Sequence, residues 1–168
     1  LEGHSATVTC VSFAPNCELV ASGSEDKTVN VWSLGLGTVT ATFKGHCTSI
    51  SSVTFMMDAR RIISADRDGL LYVWISDSDE KYTVSHSDEI TCFIITADSL
   101  YVITGSRDMS LKVWQATGGK LAQVLVGHTD AVTCVAVSVT NKSQVISGSK
   151  DSNLIIWDIH TGEEIHTL

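Results

Sequence analysis

Apolar and polar side chains alternate along this chain in short bursts, and the bursts recur. Val8-Thr9-Cys10-Val11-Ser12-Phe13 is a β-branched, alternating run, and its pattern returns over 50–55, 90–95 and 132–137. A second run occupies 19–22, 61–64, 101–104 and 144–147. A third occupies 28–32, 70–74, 110–114 and 153–157, and a fourth 39–43, 81–84, 121–126 and 164–168. Turn formers stand between the runs, among them Ala14-Pro15-Asn16, Ala97-Asp98, Gly118-Gly119 and Thr161-Gly162. No window holds an apolar face at helical spacing for three turns. The pattern predicts an all-β chain of antiparallel four-stranded sheets, one per period.

Fixed landmarks punctuate the pattern. Asp26, Asp68, Asp108 and Asp151 each stand six residues before a tryptophan, at Trp32, Trp74, Trp114 and Trp157. Each also follows a histidine by 22 or 23 residues: His4, His46, His86 and His128. A period of 40 to 43 residues repeated four times marks a repeat architecture. Repetition also decides what the Ser, His and Asp of each period mean. A catalytic triad is built once, beside an oxyanion hole and a cleft, whereas four copies tied to strand turns are architecture. The chain is therefore read as a non-enzyme that needs no cofactor.

Gly-His, Ser-Gly-Ser-x-Asp and the terminal Trp, with Trp157-Asp158 as the full dipeptide, resemble the WD40 repeat, the blade of a β-propeller. The resemblance covers residues 1–168 as a single array, with blades at about 4–43, 46–84, 86–126 and 128–168. It implies four hydrogen-bonded tetrads: His4, Ser22, Asp26, Trp32; His46, Ser64, Asp68, Trp74; His86, Thr104, Asp108, Trp114; and His128, Ser147, Asp151, Trp157. A turn Asp accepts from backbone N–H groups and the imidazole, the imidazole accepts from the hydroxyl, and the hydroxyl accepts from the indole. Two departures stand out: Ser85 replaces the Gly of Gly-His, and Ala65-Asp66 replaces Gly-Ser. If Gly23, Gly105 and Gly148 adopt positive φ, Ala65 is strained or its turn differs, so the second blade is expected to be the least regular. The segment from Leu121 to Leu168 also resembles the repeat arrays of NACHT-and-WD-repeat proteins. That resemblance implies, as an alternative function, a sensor or autoinhibitory module of a regulatory ATPase.

Composition narrows the partners. With 43% hydrophobic and 18% charged residues the chain is neither disordered nor a membrane span, and no apolar run reaches the roughly 18–20 residues of a bilayer crossing. A net charge of −8 argues against nucleic acid and anionic membranes. Three of the five cysteines, Cys10, Cys92 and Cys134, share one position of the repeat, held by Ser52 in the second copy, and are expected to be small buried side chains. No cysteine or histidine has zinc-ligand spacing beside them, and unpaired cysteines favour a reducing compartment, the cytosol by default. A start at Leu1 is expected of a piece of a longer protein.

Binding is the functional class that remains: a scaffold presenting loops at one end of the blades to a protein or peptide. The residues before the turn aspartates are Glu25, Arg67, Arg107 and Lys150, and those in the loops entering the first strands include Thr7, Ser49 and Glu89. Arg67, Arg107 and Lys150 are candidates to line one sector and take an acidic or phosphorylated segment. Asp77, Asp79 and Glu80, the pair Glu163-Glu164, and His160 and His166 are expected to be solvated surface. An array of four blades leaves an apolar face at each end, and such faces rarely stay exposed on a monomer. They are expected to be closed by a second copy, giving eight blades, or by further blades of a parent chain.

Overall fold

The computed structural model describes residues 2–75, 80–138, 140, 141 and 143–168, and the expected Asp77 and Asp79 lie outside them. Among the described residues sixteen strands make four antiparallel sheets, each in simple meander order. The first sheet is β1 (Val8–Phe13), β2 (Leu19–Ser24), β3 (Thr28–Ser33) and β4 (Thr38–Lys44), and the second is β5 (Ile50–Phe55), β6 (Arg61–Asp66), β7 (Leu70–Ile75) and β8 (Lys81–Ser85). The third is β9 (Ile90–Ile95), β10 (Tyr101–Ser106), β11 (Ser110–Gln115) and β12 (Leu121–Val126). The fourth is β13 (Val132–Val137), β14 (Gln144–Ser149), β15 (Leu154–Asp158) and β16 (Glu164–Thr167). No helix occurs among the described residues. The second strand of each sheet runs two residues beyond the sequence expectation, because pairing continues through the Gly-Ser or Ala-Asp dipeptide.

The chain divides into two compact units, Leu1–Ser85 and His86–Leu168, each holding two sheets. In the first unit Ala21, Val29 and Val31 of the first sheet pack on Val53, Phe55, Ile62 and Trp74 of the second, with Cys10 and Phe43 at the margin. In the second unit Ile103, Leu111 and Val113 of the third sheet pack on Val132, Val145, Ile155 and Trp157 of the fourth. A hydroxyl stitches each pair of first strands together. Thr9 Oγ1 donates to the carbonyl of Gly23 in its own sheet (3.0 Å) or to that of Ile50 in the neighbouring one (2.6 Å). Thr91 Oγ1 stands in the same way between Gly105 (3.0 Å) and Val132 (2.6 Å).

The glycines of the Ser-Gly-Ser motif do not need positive φ. At these turns the left-handed residue is instead the one just beyond the motif, Lys27, Met109 and Ser152, with Gly69 at the same place in the second sheet. There the second sheet is the favourable case, because only its residue lacks a Cβ. Gly23, Gly105 and Gly148 are required for space instead. Each is paired across β1–β2, β9–β10 or β13–β14 with Cys10, Cys92 or Cys134, and a Cβ would stand 2.7 to 2.8 Å from the sulfur. Ala65 is paired with Ser52, so the larger residue on one strand meets the smaller hydroxyl on the other. Cys10 and Cys92 are half-buried, whereas Cys134, expected to be buried, is exposed.

Candidate functional site

In three sheets the chain of donors runs as the residue types require. Trp32 Nε1 donates to Ser22 Oγ at 2.7 Å, His4 Nε2 lies 2.7 Å from the same oxygen, and His4 Nδ1 lies 2.9 Å from Asp26 Oδ2. The corresponding distances are 2.9, 2.6 and 2.9 Å through Trp114, Thr104, His86 and Asp108, and 2.8 Å at each step through Trp157, Ser147, His128 and Asp151. A hydroxyl that accepts from an indole has its own proton left for Nε2, which places the imidazole proton on Nδ1, facing the carboxylate. The acid also closes its own turn: Asp26 Oδ1 accepts from the Thr28 amide and hydroxyl, and Oδ2 from the Ser5 amide. Ser24 Oγ accepts from the Asp26 amide and donates to the Ala6 carbonyl. Ser106 and Ser149 do the same in the third and fourth sheets.

The second sheet corrects one expected residue. The carboxylate on His46 Nδ1 is Asp66, at 2.7 Å, and not Asp68, which is exposed. Asp66 occupies the column of Ser24, Ser106 and Ser149, and its longer, charged side chain does the work of two residues. Its Oδ2 faces His46 while its Oδ1 accepts from the amides of Asp68 (3.0 Å) and Leu70 (3.1 Å). The remainder of the tetrad is as in the others, with Ser64 Oγ 2.7 Å from His46 Nε2 and 2.8 Å from Trp74 Nε1. Here the hydrogen-bonded His46 and Asp66 side chains are 1% and 0% exposed, against 10%, 11% and 5% for Asp26, Asp108 and Asp151. Trp74 is further held by Phe43 and Tyr72, stacked at 5.2 and 4.9 Å, and Lys81 Nζ lies 4.9 Å from its ring centroid.

These environments set the acid response. Burial alone would raise the carboxyls of Asp26 and Asp108, but it is outweighed by hydrogen bonds, from Thr28, Ser5 and His4 to the first and from Ser110 and His86 to the second, which hold both well below the ordinary 3.8. Asp151, with the same opposing effects and donors at Thr129, Asn153 and His128, is held at about 2. Burial lowers His86 below 6.5, outweighing the Asp108 carboxylate that acts to raise it. All four groups are depressed on folding. The histidine contribution is therefore complete above 6.5 and is lost as pH falls below it, and the aspartate contribution is complete above 3.8 and is lost as pH falls toward 2. The melting temperature followed by circular dichroism is expected to be level between about pH 7 and 8, to fall below about 6.5 and to fall more steeply below about 4. A rise in melting temperature between about pH 7 and 5 would contradict this assignment.

The candidate binding residues sit where turns meet entry loops. Glu25, Arg67, Arg107 and Lys150 are all exposed, Thr7 is exposed, and Ser49 and Glu89 are half-buried. The backbone ties turn to loop: Glu25 N–H donates to Thr7 O, Arg107 N–H to Glu89 O, and Lys150 N–H to Ala131 O. Arg107 Nε also pairs with Glu89 Oε2 at 2.9 Å, which neutralises part of its charge. In the second sheet the hydroxyls of Thr48 and Ser49 are buried without a hydrogen-bond partner. Arg67 belongs to the first unit, and Arg107 and Lys150 to the second. Glu163, Glu164, His160 and His166 are exposed, although the His160 ring meets Tyr101 edge-on at 5.9 Å. Among the described residues no three His, Cys, Asp or Glu side chains converge as metal ligands, and no helix is long and apolar enough to cross a membrane.

Sequence comparison places these features in a family. The nuclear distribution protein nudF of Aspergillus niger is 28% identical over 174 residues, covering 99% of this chain and 39% of that protein. Periodic tryptophan protein 2 of Arabidopsis thaliana is 29% identical, over 94% of this chain and 18% of its own length. The human angio-associated migratory cell protein is 29% identical, over 98% and 38%. The chain thus spans at most 39% of these three relatives, and they lend no support to the NACHT-type resemblance. The model of the WD domain, G-beta repeat, matches at 1–33, 37–74, 79–115 and 119–158, one match for each observed sheet and its tryptophan. With four such matches and four four-stranded sheets, the chain belongs to the WD40 repeat family.

Proposed function

We propose that this chain is a non-catalytic, cytosolic interaction scaffold whose loops bind a protein or peptide partner. The tetrads are spent on architecture: each holds a turn against the loop that precedes a first strand. One observation carries the reading. The residue seven positions before each tryptophan is exposed in every sheet and varies between acidic and basic, as Glu25, Arg67, Arg107 and Lys150, while its neighbours are locked by hydrogen bonds. A fixed frame that leaves one exposed side chain per repeat suits recognition by loops. The cationic members favour an acidic or phosphorylated segment, with Arg67 and Lys150 the stronger contributors because Arg107 already shares Glu89. The test is an immobilised panel of acidic and phosphorylated peptides, probed with the native chain and with the triple variant Arg67→Glu, Arg107→Glu, Lys150→Glu. Binding is expected to weaken at least about tenfold in the variant and to fall with salt in the native chain. Retention of every bound peptide by the triple variant would retire the proposal.

A further inference from the structure

We infer that the third sheet takes up an extended partner peptide as a fifth strand along β12, an apolar segment flanked by acidic residues. Among the described residues every sheet stops at four strands, with β4, β8, β12 or β16 as its outer edge. Such an edge displays a row of N–H and C=O groups spaced to receive another extended backbone, and charged side chains ordinarily guard it. The residues that each outer strand sets opposite its neighbour show where the guard is missing. Opposite Trp32, Asn30 and Thr28 stand Val39, Thr42 and Lys44. Opposite Trp74, Tyr72 and Leu70 stand Lys81, Thr83 and Ser85, and opposite Trp157 and Ile155 stand Glu164 and Thr167. Opposite Trp114, Lys112 and Ser110 the third sheet sets Leu121, Val124 and Val126, which are 41%, 43% and 73% exposed. β12 carries no charged residue at all.

A sheet stacked in front does not cover this row. In the second sheet Trp74 is buried against the first, yet Lys81, Thr83 and Ser85 are exposed. In the fourth, Ile155 and Trp157 are buried against the third, yet Glu164 and Thr167 are exposed. Packing of repeat on repeat thus leaves the outer row open in both units, and a neighbouring repeat is not the occupant of β12. Charge selects among the others. Residues 110–127 carry Lys112 and Lys120 and no acid, within a chain of net charge −8. Lys120 precedes Leu121, and Lys112 stands opposite Val124 with its Nζ 5.6 Å from the Trp114 ring centroid. A second copy paired edge to edge would set these lysines against their like and bring two acidic chains together, whereas an acidic segment complements them.

The probe is a fluorescein-labelled peptide of alternating valine and threonine with aspartates at both ends. Fluorescence anisotropy is expected to show saturable binding to the native chain with a Kd below about 300 μM. In hydrogen exchange the peptide should protect amides within 121–126 and leave those of β4, β8 and β16 unchanged. The variant Leu121→Lys, Val124→Thr, Val126→Ser gives the third sheet the row that the second already carries, and should bind at least about tenfold more weakly. Two prolines at the centre of the peptide remove a donor from each of its edges and should abolish binding. Lysines in place of the terminal aspartates should weaken it about threefold. The Arg67→Glu, Arg107→Glu, Lys150→Glu variant should keep it, so this inference and the loop-binding proposal fail separately. Absence of saturable binding, binding undiminished in the row variant, or protection outside β12 overturns the inference. So does a dimer of the native chain that the row variant abolishes, since the edge would then belong to a second copy.

Discussion

Asp66→Ala is expected to lower the stability of the chain by about 3–5 kcal/mol, and Asp68→Ala to change it by no more than about 0.5 kcal/mol. Counting from the tryptophan gives the opposite ranking, because Asp68 stands where Asp26, Asp108 and Asp151 stand. Asp66 is fully buried and accepts from an imidazole and two amides, so its removal orphans His46 and releases the turn together. Asp68 contributes its amide to that turn while its side chain is in solvent, and alanine keeps the amide. Urea unfolding followed by circular dichroism checks both variants. Equal losses, or a larger loss at Asp68, would show that the second sheet uses the same acid as the others.

Gly105→Ala is expected to cost about 2–3 kcal/mol and Gly148→Ala nearer 1 kcal/mol, although both glycines sit in the same motif. A Cβ on Gly105 meets Cys92 Sγ at 2.8 Å and Val132 Cγ1 at 2.6 Å, and Val132 belongs to the packed core and cannot withdraw. A Cβ on Gly148 meets Cys134 Sγ at 2.7 Å and Leu154 Cδ2 at 3.2 Å, and both side chains are exposed enough to move. Cys134→Ser should cancel most of the Gly148→Ala cost, since that pair then matches Ser52 with Ala65. Cys92→Ser should recover only part of the loss at Gly105. A double-mutant cycle on urea midpoints measures the coupling, and strict additivity in the fourth sheet would refute the pairing argument.

The sixteen strands were legible because period-2 alternation and turn residues agree with one another in every repeat, and agreement across levels is what specifies a fold. Three tetrads were legible for a related reason: a fixed offset from the tryptophan implies a fixed pairing register, as between Ser22 and Asn30 or Ser147 and Ile155. Asp66 escaped because an offset locates a column and says nothing of reach. A carboxylate placed in a serine column can bridge both acceptor roles, and the signal available was the simultaneous loss of Ser and gain of Asp at 66. The glycines misled in another way. Glycine is read first as a sign of positive φ, yet Gly23, Gly105 and Gly148 answer to the volume of a facing cysteine, and the first two also to Ile50 or Val132 of the neighbouring sheet. The exposure of Cys134 was hidden because burial is decided by the neighbouring sheet, which a repeat column does not encode.

The hydroxyl stitch at Thr9 and Thr91 bears on how such a chain can diversify. Its acceptors are main-chain carbonyls, those of Ile50 and Val132, so the bond is blind to which side chain the receiving residue carries. A duplicated repeat inherits the donor and the acceptor together, and later drift at the receiving residue leaves the bond intact while the donor keeps its hydroxyl. Glu25, Arg67, Arg107 and Lys150 take no part in the stitch and can diverge while the seam within each unit stays the same.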